Sequence, residues 1–358
     1  MLFKRYPVSV SAAFALIVFG AGTLLYSNYI YNSYIIGSFH KFPEPVAKPL
    51  RRALYYTNIS LSPRDAVKHY KEALRIADEV GMDPFSDEIL GVKIQLAALM
   101  EKIQQYQKAI DVLEIVRRDC LKWVDELGSQ PDNAGKRTRV LGKTVGISVK
   151  LGELYANEHV LEKEAAEERL VWAVSTVLKE QARRQIEGVK SDEGDWMSPE
   201  EIGGAMEALA HHYEEKDQHY LAAPLFLQAI NLSSPSNCHT AILMNNLSIS
   251  LAQQNPPSSP SSTGGPASPS RAALVSNARD WATKALALTA RIQPPQRSDE
   301  CDVACATATH NLGEFAEMAG NVAEARRRYD EARGLAKAIG FTEGLRQADA
   351  ALRRLART

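Results

Sequence analysis

The chain has 358 residues, with 42 basic and 43 acidic side chains and a formal net charge of −1. That balance lacks the one-sided basic field a phosphate backbone demands, which argues against nucleic-acid binding. Hydrophobic residues make up 45%, aromatics 7%, and there are four cysteines; such a composition suits packed helices and does not suggest a disulfide scaffold.

In chain order, residues 1–6 form a short basic leader with Lys4 and Arg5. From Tyr6 to Phe39 there is no charged residue and no His, and residues 7–26 are largely Ala, Val, Leu, Ile, Phe and Gly. About twenty apolar residues cross a bilayer core, so this stretch is expected to be a transmembrane helix. Tyr26, Tyr29, Tyr31 and Tyr34 follow as an interfacial aromatic belt, opening a juxtamembrane linker over 27–48. The alternative is a cleaved signal peptide. The run exceeds the usual apolar core of about 7–15 residues and ends in Leu24-Leu25-Tyr26-Ser27, without a small-x-small cleavage site. Lys4 and Arg5 on one side face Lys41, Lys48, Arg51 and Arg52 on the other, so charge does not fix the orientation.

Residues 49–339 read as a repeat array of about six helix pairs. Leu209, Ala210, Tyr213, Ala222, Phe226 and Ala229 recur with identical spacing as Leu312, Gly313, Ala316, Ala325, Tyr329 and Ala332. A weaker copy is Leu96, Ala97, Met100, Ala109, Leu113 and Val116. Small residues at these intervals sit where two antiparallel helices approach, and bulky ones fill the gaps. Leu151, Gly152 and Tyr155 open a copy continued by Ala166, Leu170 and Ala173, two residues late in the turn. Leu247, Ser248 and Leu251 open another, whose second helix (Ala278, Ala282, Ala285) is delayed by a tract over 255–270 of Pro, Ser, Gly, Thr and Ala. That tract is expected to be a disordered insertion. Ala66, Tyr70 and Ala73 mark a second helix entered through Ser62-Pro63, and Ser198-Pro199-Glu200-Glu201 repeats that entry with a capping-box acid. Gly320 is expected in a turn, and residues 342–357 in a charged C-terminal capping helix. The pattern is that of the tetratricopeptide repeat (TPR), and it predicts an all-α TPR solenoid with one N-terminal transmembrane helix.

No phosphate-cradling, metalloprotease or nucleophile-elbow motif occurs, so no catalytic residue, cofactor, metal or small-molecule substrate is expected. Cys301 and Cys305, four apart, are expected to be small buried helix residues, with pairing to each other or to a partner in an oxidising compartment as the alternative. His211, His212 and His219 are read as solvated or groove-facing, and Asp192-Glu193-Gly194-Asp195 as a solvated loop. Asn-x-Ser sequences at Asn58, Asn231 and Asn246 are read as chance occurrences.

In such arrays the first helix of each pair lines the concave face, and the residue before the lattice Leu tends to point into it. Those residues are Gln95, Lys150, Ala208, Asn246 and Asn311. An Asn amide donates and accepts at once, so Asn246 and Asn311 suit grip on an extended main chain, or simply satisfy a neighbouring helix or water. The candidate peptide groove is Lys150, His211, Asn246, His310 and Asn311. Thr307 and Asn311 stand where repeat proteins that clamp acidic chaperone tails carry Lys or Arg, so no dicarboxylate clamp is visible.

The leader, the span, the tyrosine-rich stretch, Pro43-x-Pro45, Pro49 to Leu54 and the degenerate repeats together resemble the fungal TPR-containing adaptor subunit of the mitochondrial inner-membrane i-AAA protease complex. The resemblance implies a single-pass inner-membrane protein with its repeats in the intermembrane space. It would bind misfolded or unfolded substrate proteins and deliver them to that protease. The competing expectations are a preprotein import receptor of the outer membrane, against which the missing clamp counts, and a scaffold of a membrane complex.

Overall fold

The computed structural model describes residues 7–30, 39, 41–254 and 269–357; within the first helix, side chains are described for residues 16–24, 26, 27 and 29. The described residues are helical, with no strand among them. The leader and the tract over 255–268 lie outside the described residues. The chain divides into two compact units, Met1–Val116 and Arg117–Thr358.

The first unit opens with α1 (Pro7–Ile30), a helix of 24 residues with no acidic residue in its first turn and no basic residue in its last. Its described large apolar side chains, Leu16, Ile17, Val18, Phe19, Leu24, Tyr26 and Tyr29, are all exposed. Among the described residues no helix is long and apolar enough to cross a membrane, in contrast to the span expected over 7–26. α2 (Glu44–Asn58) starts behind Pro43 and carries Pro49 on its buried face with Val46, Leu50 and Ala53. It packs on α3 (Pro63–Glu79). The fully buried Tyr70 meets Thr57 across that pair, hydroxyl to hydroxyl at 3.3 Å. Ser62 occupies the N-cap of α3, but its hydroxyl bonds the Asp65 carboxylate at 2.7 Å and not a backbone N–H. α4 (Asp87–Lys102) is capped by Ser86. It returns to α2 through Lys102 Nζ, which donates to the Thr57 carbonyl at 2.8 Å. α5 (Tyr106–Leu127) contains the division between the units.

In the second unit α6 (Ala134–Ala156) packs on α7 (Lys163–Glu187), α8 (Pro199–Glu215) on α9 (His219–Leu232), α10 (Cys238–Gln253) on α11 (Arg271–Arg291), and α12 (Asp299–Met318) on α13 (Val322–Ala338). α14 (Thr342–Leu355) closes the series against α13 and α12. First helices also meet along the array, α6 with α8 and α10 with α12. The lattice read from the sequence is the packing surface. Ala210, Ala222, Phe226 and Ala229 are buried, as are Ala316, Ala325, Tyr329 and Ala332. Its small positions are tight. A Cβ on Gly152 would lie 2.4 Å from Leu170 Cγ, and one on Gly313 would lie 2.8 Å from the Tyr329 ring. Ser198 and Glu201 form a complete capping box at the start of α8, at 3.2 and 2.8 Å.

Three of the short turns between successive helices reverse through one left-handed residue. Gln104 (φ 60°), Asp217 (φ 54°) and Gly320 (φ 79°) follow the third lattice residues Met100, Tyr213 and Ala316 by the same interval. Leu161 (φ 56°) does the same in the longer α6–α7 turn. Only the last of the lattice turns uses the residue that adopts this conformation without cost.

The cysteines depart from expectation. Cys301 is bonded to Cys238, 63 residues earlier, with sulfurs 2.12 Å and Cα atoms 4.7 Å apart. Both are buried, packed with Ile292. Cys305 is free and partly exposed, and Cys120 is buried and lies outside the disulfide. The pairing arises because the first turns of α10 and α12 lie side by side, a neighbourhood that sequence spacing does not reveal.

Candidate functional site

The first helices α8 and α10 present a polar strip built from regular spacing. On α8, Glu207, His211 and Glu214 stand four and three residues apart, so they share one face. His211 Nδ1 lies 3.2 Å from Glu214 and Nε2 lies 3.6 Å from Glu207. From the start of α10, His239 Nε2 reaches Glu207 at 2.9 Å. Further along, Asn246 Nδ2 stands 3.4 Å from His211 Nε2, and Ser250 Oγ donates to Glu214 at 2.6 Å. Two imidazoles thus bridge two carboxylates across neighbouring repeats.

The electrostatics follow from that geometry. Burial pushes the Glu207 carboxyl up, but hydrogen bonds from His211 and His239 outweigh it and hold it at about 2. Burial pushes His211 down, yet its bonds to Glu207 and Glu214 carry it to about 9. The bond to Glu207 likewise raises His239. At neutral pH the strip is a clasp of imidazolium and carboxylate with little net charge. It offers hydrogen-bonding groups and no nucleophile held by a free base. Among the described residues no group of three or more His, Cys, Asp or Glu side chains is placed to hold a metal.

The expected groove residues do not form one constellation. His211 and Asn246 are brought together in the clasp. Lys150, on α6, is half-exposed and donates to Glu153 at 3.2 Å. His310 leans on the Tyr329 ring, centroids 5.0 Å apart, with its Nε2 3.7 Å from Glu314. Asn311 is 4% exposed, and its amide nitrogen is buried with no hydrogen-bond partner. It is not an open grip for a peptide, and the matched pair expected from Asn246 and Asn311 is not realised. Of the outlying positions, Gln95 is exposed on α4, in the other unit, and Ala208 is half-buried. Asn245, the neighbour of Asn246, is an interior residue that donates to the Ala304 carbonyl at 2.9 Å. The sequence reading missed Glu207, Glu214, His239 and Ser250. The Glu207–His211–Glu214 spacing was a legible signal; the approach of His239 and Ser250 depends on the packing of two repeats.

Beside the strip, between α6 and α8, lies an open pocket of about 670 Å³ lined partly by Ala208, His211 and His212. His212 is buried, and burial pushes its pKa down.

No family model matches the chain. A Schizosaccharomyces pombe protein described as TPR repeat-containing is 27% identical over 317 residues, covering 88% of this chain and 79% of that protein. A Saccharomyces cerevisiae protein named MRG3-like is 29% identical over 118 residues, which is 32% of this chain and 25% of the relative. Among solved structures, BtubC (BKLC) from P. vanneervenii superposes with a TM-score of 0.53 at 19% identity, covering 79% of this chain and 93% of that one. The fold is that of TPR proteins. At this identity the structural likeness extends to the arrangement of helices and no further.

Proposed function

We propose that this chain is a membrane-anchored TPR adaptor that binds misfolded or unfolded proteins and delivers them to the i-AAA protease of the mitochondrial inner membrane. Its repeats would face the intermembrane space, and it would do no chemistry of its own. The observation that carries the binding role is the run of helix pairs whose first helices expose a polar strip and an adjoining pocket. Such surfaces hold extended polypeptide through main-chain hydrogen bonds.

Two features support the location. α1 is 24 residues long. The reading as a span rests on the sequence, in which no residue from Tyr6 to Phe39 is charged, since the described residues alone include no helix long and apolar enough to cross a membrane. The described apolar side chains of α1 are exposed, so they find no cover within the protein. The buried Cys238–Cys301 disulfide belongs with an oxidising compartment and against the thiol-reducing cytosol, which disfavours an outer-membrane import receptor. The test is protease treatment of intact mitochondria before and after rupture of the outer membrane, with thiol alkylation to read the cysteines. Repeats protected until rupture, a chain retained in the alkaline-extracted pellet and two of the four cysteines open to alkylation after denaturation only once the chain is reduced are expected. Digestion in intact organelles would overturn the location.

A further inference from the structure

The pocket between α6 and α8 has a chemistry of its own. Its apolar part includes Leu170 and Leu161, and Leu161 is 62% exposed on the turn after α6. Glu153, Glu158 and Glu215 stand around it against a single lysine, Lys163. The positive charge of His211 is already committed to Glu207 and Glu214, Glu153 shares its charge with Lys150, and Glu158 stands 3.7 Å from the His159 ring. The rim therefore keeps a negative excess beside apolar surface. His212 lies on the wall, 3% exposed; neither ring nitrogen makes a hydrogen bond, and its nearest carboxylate, Glu167, stands 3.9 Å from Nε2. A neutral imidazole carries one donor and one acceptor, the complement of a peptide unit, and leaving both unsatisfied in a protein interior is costly.

We propose that this pocket is a specificity subsite for extended polypeptide in which an apolar residue sits next to a Lys or Arg. The apolar side chain packs on Leu161 and Leu170, the cation is held by the Glu153, Glu158 and Glu215 rim, and His212 meets the main chain after a small side-chain shift. This rests on the reading of the protein as a binder of unfolded polypeptide. It adds that clients are chosen by charge, and that the sign is opposite to that of repeat grooves which clamp acidic tails.

The experiment uses the full chain in detergent and short fluorescein-labelled peptides followed by anisotropy. Three peptides differ only in composition: Leu with Lys, Leu with Glu, and Gln with Lys. The Leu–Lys peptide is expected to bind most tightly. Replacing Glu153→Gln, Glu158→Gln and Glu215→Gln together should weaken it about tenfold, corresponding to about 1.4 kcal/mol. The same variant should remove most of its salt dependence. Leu161→Asn, tolerated at a positive φ, should weaken both Leu peptides and leave the Gln–Lys peptide unchanged. All three glutamates are surface residues, so circular dichroism should show wild-type helicity; Glu215→Gln alone, with a smaller loss, serves if the triple variant does not. Equal affinity for the three peptides overturns the proposal, as does indifference to the glutamate changes. Spermine competing as well as unlabelled Leu–Lys peptide overturns it in favour of a site for small polycations. Failure of every peptide and of unfolded protein to bind would bring down the polypeptide-binding function itself, whereas binding without preference brings down only this subsite.

Discussion

Gly313 and Tyr329 show how one lattice position sets the distance between helices. The glycine has no side chain because the Tyr329 ring occupies that space, and the Tyr329 hydroxyl bonds Glu317 at 2.8 Å. Gly313→Ala should therefore destabilise by about 1–3 kcal/mol, the usual cost of overpacking. An unchanged urea midpoint would show that the ring moves away freely. The His211 clasp makes a pH prediction whose sign follows from the raised value. His211 goes from an ordinary 6.5 to about 9. Its contribution is therefore complete below about 6.5 and is lost as pH rises through about 9. Glu207, lowered to about 2, contributes above about 4.5 and is lost as pH falls through about 2. His211→Gln should flatten the decline in stability between pH 6.5 and 9, and an NMR titration of the His211 ring should show a midpoint well above that of a free imidazole. A midpoint near 6.5 would mean that the clasp does not form in solution.

At the scale of elements, the helix pairs were legible because their packing residues recur at fixed intervals. Leu209 to Ala229 and Leu312 to Ala332 define the same contact, and both sets are at the packed interface except for the half-buried Tyr213. The turns were less legible. Gly320 advertises a left-handed residue, whereas Gln104, Leu161 and Asp217 adopt the same conformation without a glycine. All three side chains are exposed, so the tight reversal of the chain sets the conformation, and of the three only Asp217 is of a residue type that favours it. Gly320→Ala should consequently cost about 1–2 kcal/mol. Gln104→Gly and Asp217→Gly should be neutral or stabilising, because relief of strain offsets the added freedom of the unfolded chain. Thermal melts of the three variants check this; a loss from Asp217→Gly matching that from Gly320→Ala would contradict it. The groove was legible only in part. Asn246 and Asn311 occupy the same place in the repeat, but one joins the clasp and the other is buried, a difference made by the neighbouring helices.

Across the whole molecule, the disulfide is the feature that sequence arithmetic concealed. Cys301 and Cys305 drew attention by their spacing, while Cys238 stood alone; only the stacking of α10 beside α12 brings the two first turns together. Closing a loop of 63 residues typically contributes about 2–4 kcal/mol. Cys238→Ser with Cys301→Ser should lower the melting temperature by several degrees, whereas Cys305→Ser should leave it unchanged. A larger loss from Cys305→Ser would reassign the bond. The stapled repeats, the apolar helix ahead of them and the strip beside the pocket are the features on which the proposed adaptor role rests. The most direct measurement is ATP-dependent turnover of an unfolded inner-membrane reporter in mitochondria with the full chain, without it, and with the chain lacking residues 7–26. The account predicts fast turnover and co-purification of the protease only with the full chain. Unchanged turnover in its absence, with no protease recovered alongside it, would contradict the account.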